Sequence, residues 1–254
     1  MPPLALLPAE FTAGQWALLA LGALCVGLAK TGIPGLGILL VVLFANVLPA
    51  RASSGVVLPL LILGDLAALA SYRRNLVWSH LWRLVPWAAA GVVAGWLALG
   101  RLDDAWTART IGALILAMLA LHFWRRARAA RGDGSPPARG TAAVAGLAAG
   151  FTTLVANAAG PVMTLYLLAM RLPKLEFLGT GAVFFFLINW FKVPFMANLG
   201  LIDAASLGLN LRLAPAVLLG AWLGRIVARK IDQKTFETTA LVLAARAAAK
   251  LLLT

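Results

Sequence analysis

A chain of 254 residues that is 62% hydrophobic and only 12% charged, with a mean hydropathy of +0.91, is too apolar for a water-soluble domain and reads as an all-α polytopic membrane protein. The net charge of +13 implies neither nucleic acid nor an anionic substrate by itself, because basic residues of membrane proteins gather in loops that orient the chain and touch anionic lipid. The single Cys25 excludes an intramolecular disulfide, and His80 and His122 are too few and too far apart for a metal site.

The N-terminus, MPPLALLPAEFTAGQ, has no basic stretch ahead of its apolar residues and is not read as a cleaved signal peptide. A spanning helix needs roughly 20 mostly apolar residues. Such segments are predicted over 16–48 (interrupted at 30–35), 53–72, 84–100 and 106–124, then over 141–170 (interrupted near 157–161), 176–197, 211–228 and 238–253. Between them lies RRARAARGDGSPPARG, Arg125 to Gly140, whose five arginines and paired prolines read as a solvated cytoplasmic connector. The predicted organisation is a first half, 1–124, the connector, 125–140, and a second half, 141–254.

The two halves correspond in detail. At an offset of 124, Leu48-Pro49 matches Leu172-Pro173, Gly55 matches Gly179 and Asp65 matches Asn189; at 129, Pro86, Gly91, Gly95, Arg101 and Asp103 match Pro215, Gly220, Gly224, Lys230 and Asp232. Spacings kept in step over such lengths indicate an internal repeat. Loop charge bears on its orientation. Arg73, Arg74 and Arg83 place the 73–83 loop in the cytoplasm, as the connector's arginines do for it. The 225–237 loop is basic, whereas its counterpart 101–109 balances Arg101 and Arg109 against Asp103 and Asp104, so corresponding loops face opposite sides. Three full spans per half, each interrupted segment entering and leaving by one face, would invert the repeat, an architecture common in secondary transporters. Eight simple spans with parallel halves are the alternative.

Two breaks interrupt the apolar runs. At Lys30-Thr31-Gly32-Ile33-Pro34-Gly35, and at Asn157, Gly160 and Pro161 within TTLVANAAGPVMTLY (Thr152 to Tyr166), the backbone must leave the helix. Non-helical backbone at membrane depth survives only where protein buries it or it lines a wet cavity. Pro34 and Pro161 are expected to open the second half-helix of each pair, whose free N–H groups would favour an anion. A pair of packing kinks is the structural alternative. Asp65 and Lys192 lie deep in apolar segments, where a charge costs roughly 2.5–3.5 kcal/mol on insertion scales, so both should face the interior. Asn189 and Lys192, three residues apart, share a helical face. The candidate substrate-binding set is Lys30, Thr31, Gly32, Gly35, Thr152, Asn157, Gly160, Asn189 and Lys192, with Asp65 a candidate site for a coupling proton or sodium ion. Neutralisation of Asp65 by Lys192 would be a purely structural use of the pair. Gly91-x3-Gly95 and Gly220-x3-Gly224 read as helix contacts, and Trp78, Trp82, Trp87, Trp106 and Trp124 as an interfacial belt. Paired acids, a Ser-His-Asp set and a correctly spaced phosphate loop are all missing, so no enzyme is expected.

On the stretches GLAKTGIPGLGIL, SSGVVLPLLILGDLAALASYRRN, GFTTLVANAAGPVMTLYLLAMRLPK and FLGTGAVFFFLINWFKVPF, nearly the whole chain resembles the TauE/SafE family of sulfite and organosulfonate exporters, part of a wider TauE/SafE/YfcA group. The resemblance implies a secondary carrier of small sulfur-containing anions such as sulfite, sulfoacetate or thiosulfate, without a cofactor and without nucleic acid as a partner. It would be multi-pass in a bacterial inner membrane, among membrane lipids, with a homo-oligomer left open. Wider-family members carry a run of glycines at both breaks, whereas this chain has TGIPGLG and ANAAGP. An anion-selective channel and a carrier of small carboxylates are the competing readings.

Overall fold

The computed structural model describes residues 11–34, 36–48, 50–98, 116, 120 and 140–253. Outside them fall Gly35, the 101–109 loop, Trp106, Trp124, His122, nearly all of the segment predicted at 106–124 and the connector up to Arg139.

The described residues are all-helical, with no strand among them. α1 (Ala13–Thr31) and α2 (Gly37–Ala45) flank the first break. α3 (Ala50–Tyr72) ends in a 3-10 turn, Arg73–Asn75, and leads to α4 (Trp78–Ala98). α5 (Thr141–Ala156) and α6 (Ala159–Ala169) flank the second break, followed by α7 (Lys174–Asn198), α8 (Ala204–Lys230) and α9 (Gln233–Leu253). Five of the described helices, α1, α3, α4, α7 and α8, are long and apolar enough to cross a bilayer.

Helices start earlier than the apolar runs because polar first turns cap them. α8 begins at Ala204 rather than 211: Asp203 accepts from the Ser206 N–H at 2.7 Å while Ser206 Oγ accepts from the Asp203 N–H at 2.9 Å. The same reciprocal arrangement joins Thr12 and Gln15 at the start of α1. α4 also begins before its apolar run, at Trp78 rather than 84, without a capping pair of this kind.

Two apolar clusters make the core. One joins α1, α2, α3 and α8 around Leu19, Phe44, Leu60 and Val217; the other is centred on α4 to α7, with Leu84, Ala149, Met163 and Phe184 fully or nearly fully buried. Small residues let the helices touch backbone to backbone. A Cβ on Gly27 would strike the Val217 carbonyl and one on Gly220 the Leu24 carbonyl, so α1 packs along α8. A Cβ on Gly150 would strike the Ala88 carbonyl and one on Gly91 the Leu147 carbonyl, so α5 packs along α4. Residue numbers rise together in both contacts: Leu24 meets Gly220 and Gly32 meets Gly224, while Leu84 meets Gly146 and Leu154 meets Gly95. Both pairs are therefore parallel. α3 and α7 run opposite ways, because Gly55 meets Leu201, Asp65 meets Asn189 and Asn75 meets Gly179. Within the first interrupted segment, α2 folds back along α1, setting Phe44 against Gly22.

Several helix termini gather at one end of the bundle. There the Tyr72 hydroxyl donates to the Thr31 carbonyl at 2.7 Å, the Val77 N–H donates to Thr180 Oγ1 at 3.0 Å, and His80 Nδ1 lies 3.1 Å from the Tyr166 hydroxyl. Trp78 and Trp82, stacked on each other and exposed, sit beside it, where the sequence places the aromatic belt.

Candidate functional site

The two breaks are built differently. α1 ends when the N–H groups of Gly32 and Ile33 both turn back to the Leu28 carbonyl at 3.0 Å, leaving Lys30 in its last turn, where the helix dipole favours a cation. α5 ends at Asn157, whose backbone is left-handed (φ 52°, ψ 28°) and whose N–H bonds the Thr153 carbonyl at 3.1 Å. Asparagine is among the few non-glycine residues that adopt this conformation readily. α6 then opens at Ala159 with Pro161 in its first turn, as expected. The expectation for Pro34 is corrected: a separate turn, from the Leu36 N–H to the Ile33 carbonyl at 3.4 Å, carries the chain past the proline before α2 begins at Gly37.

A continuous polar chain connects the breaks through α3 and α7. Lys30 Nζ lies 2.7 Å from Asp65 Oδ1, Asn189 Nδ2 donates to Asp65 Oδ2 at 2.6 Å, and Lys192 Nζ donates to Asn157 Oδ1 at 2.6 Å and Thr153 Oγ1 at 3.2 Å. Asn157 Nδ2 closes the chain on the Ser54 carbonyl at 3.0 Å. Lys30 also lies against the face of Phe185, with Nζ 4.1 Å from the ring centroid. Asp65 and Lys192 are fully buried. Burial on this scale is tolerable only because every charge has close polar partners. The balance is uneven, with two lysines and one carboxylate in the chain.

Beside this chain is a cavity of about 80 Å³. Its polar wall is Lys30, Thr153, Asn157, Thr164 and Asn189; its apolar wall includes Pro34, Met163 and Phe185; and Gly37 and Gly160 border it, each with open space where a Cβ would stand. The space suits one small ion with a few waters rather than a lipid or nucleotide.

The sequence-predicted residues divide accordingly. Lys30, Asn157, Gly160 and Asn189 line the cavity, Lys192 stands behind Asn157 and Thr153, and Asp65 stands behind Lys30 and Asn189. Thr31, Gly32 and Thr152 are not brought to it. The Thr31 hydroxyl sits between the carbonyls of Gly27 (2.9 Å) and Ala221 (2.8 Å), Gly32 faces the Gly224 backbone, and Thr152 bonds the Ala148 carbonyl at 2.7 Å. All three serve helix packing or helix ends. Gly35 lies outside the described residues. Lys30 rather than Lys192 is the cation paired with Asp65. The sequence reading missed Thr153 and Phe185. Helical spacing carries a signal for both, because Thr153 is four residues before Asn157 and Phe185 four before Asn189, hence on the same faces.

Bilayer-length helices around a cavity with one polar wall, where two interrupted segments meet, define a multi-pass membrane protein of the transporter class. A family model described as Sulfite exporter TauE/SafE matches residues 19–251. The chain belongs to this family, and membership implies transport of the sulfite-exporter type. No curated protein and no solved structure matches it.

Proposed function

We propose that the chain is a secondary carrier exporting a small sulfur oxyanion, sulfite or an organosulfonate, across a bacterial inner membrane. The observation that carries this reading is a pair of lysines set against a single carboxylate beside a small cavity. Two lysines against one carboxylate favour an anion there when both are protonated, and the first turn of α6 adds the N–H of Gly160. Asp65 is the candidate for a coupling proton or sodium ion, since it is the only carboxylate in this polar chain. Alternating access would come from one half rocking against the other. The antiparallel contact of α3 with α7, which brings the matched positions Asp65 and Asn189 together, supports inverted halves related by an axis in the membrane plane. Charge supports an orientation: Arg73, Arg74, Lys174, Arg229, Lys230 and Lys234 flank the end of the bundle where Tyr72 meets Thr31, which would face the cytoplasm and its anionic lipids.

Proteoliposomes loaded with labelled sulfite test the reading. Saturable efflux with counterflow, lost in Lys192→Met while the variant stays folded, is expected. Ohmic single-channel currents, or undiminished efflux in folded Lys192→Met, would refute it.

A further inference from the structure

The partners of the two lysines bear on the charge of the occupant, an inference that rests on the carrier reading above. Lys192 Nζ is surrounded by three oxygens: Asn157 Oδ1 at 2.6 Å, Thr153 Oγ1 at 3.2 Å and Asn189 Oδ1 at 3.5 Å. Three acceptors match the three N–H donors of an ammonium, and all three are neutral. Lys30, by contrast, is balanced by Asp65. With both lysines protonated and Asp65 ionised, one positive charge is left over, and it belongs to Lys192.

Lys192 does not itself line the cavity; Thr153 and Asn157 stand between. Asn157 engages both ends of its amide, Oδ1 on Lys192 and one of its two N–H groups on the Ser54 carbonyl. Thr153 is engaged through its oxygen alone. Its oxygen accepts from Lys192, and its own hydroxyl proton has no acceptor among the described residues. A hydroxyl polarised by a buried ammonium and facing a cavity is a donor waiting for an acceptor.

We propose that the cavity takes a singly charged sulfur oxyanion, hydrogen sulfite or a sulfonate head group, in preference to the doubly charged sulfite and sulfate ions, with the Thr153 hydroxyl donating to it. A monoanion brings the buried cluster to neutrality. A dianion leaves it with an uncompensated negative charge away from water, the costly arrangement in a protein interior.

The test is calorimetric titration of the purified full-length protein with methanesulfonate, sulfate and sulfite at mildly acidic and mildly alkaline pH. Sulfate is expected to bind at least about tenfold more weakly than methanesulfonate, the scale of a lost charge-assisted hydrogen bond. Sulfite should weaken relative to methanesulfonate as alkali converts hydrogen sulfite to the dianion. Asp65→Asn removes the one carboxylate and should raise sulfate affinity relative to methanesulfonate. Thr153→Val should lose about tenfold for methanesulfonate while Thr153→Ser keeps most of the affinity. Sulfate binding as tightly as methanesulfonate to the unaltered protein would overturn the proposal whether or not the variants fold, and so would unchanged affinity in Thr153→Val. No heat from any of the three anions would overturn the carrier reading, and this proposal with it.

Discussion

At Asn157 one side chain meets two demands that substitution can separate. Its backbone must be left-handed to end α5, and its amide must bridge Lys192 and Ser54. Asn157→Gly keeps the first and loses the second; Asn157→Ala loses the amide and also pays about 1–2 kcal/mol for the left-handed backbone. Melting in detergent should therefore place Asn157→Gly above Asn157→Ala, with both losing the stabilisation that a sulfur anion would give under the proposed function. Equal melting of the two would mean the backbone constraint is weak. Part of this site is legible in the sequence, because an Asp, an Asn and a Lys inside apolar runs have nowhere to go but inward. What periodicity does not carry is pairing across long separations. The partnership of Lys30 with Asp65 depends on where α1 and α3 cross. The polar character of Thr31 and Thr152 was a poor guide for a related reason: hydroxyls satisfy themselves on nearby carbonyls, and burial alone does not distinguish that from ligand binding.

For the helices, close crossings make glycine positions unequal. Gly27 and Gly150 oppose partner backbone, which has no flexible end to move aside, so alanine at either should cost about 1–3 kcal/mol. Gly208 opens on empty space in α8, and Gly208→Ala is expected to be neutral or to gain up to about 1 kcal/mol from helix propensity. Thermal unfolding of the three variants checks the order; a Gly150→Ala protein as stable as the unaltered one would mean that α4 and α5 separate readily. Helix existence was readable from apolar run length and both breaks from their Gly, Pro and Asn. Helix starts were not, because capped polar first turns such as Asp203 to Ser206 look like loop when only hydropathy is followed.

The proposed orientation of the whole molecule can be probed chemically. Cys25 is the only cysteine, and it is buried. In a Cys25→Ala background, Asp203→Cys before α8 and Lys234→Cys at the start of α9 should report opposite sides of the membrane. A membrane-impermeant maleimide added to intact cells is expected to label the first and spare the second. The reverse pattern would turn the protein over, and labelling of both would contradict the spanning of α8. The matched offsets in the sequence propose a correspondence between segments, yet say nothing of which helices touch. That choice is made by the glycine faces, and it joins each half to the other: α1 lies on α8 and α5 on α4, while α3 meets α7.

This exchange of partners bears on how the chain is made. On leaving the ribosome, α1 has its own hairpin mate α2 and then α3 to lean on, but the surface that accepts Gly27 belongs to α8, six helices later than α2 among those described. Until α8 has been made, a glycine-lined face of α1 must wait in lipid or in the insertion machinery. Fragments divided within the 125–140 connector should accordingly be degraded when expressed singly and recovered when produced together, since neither contains both sides of the α1–α8 or α4–α5 contact.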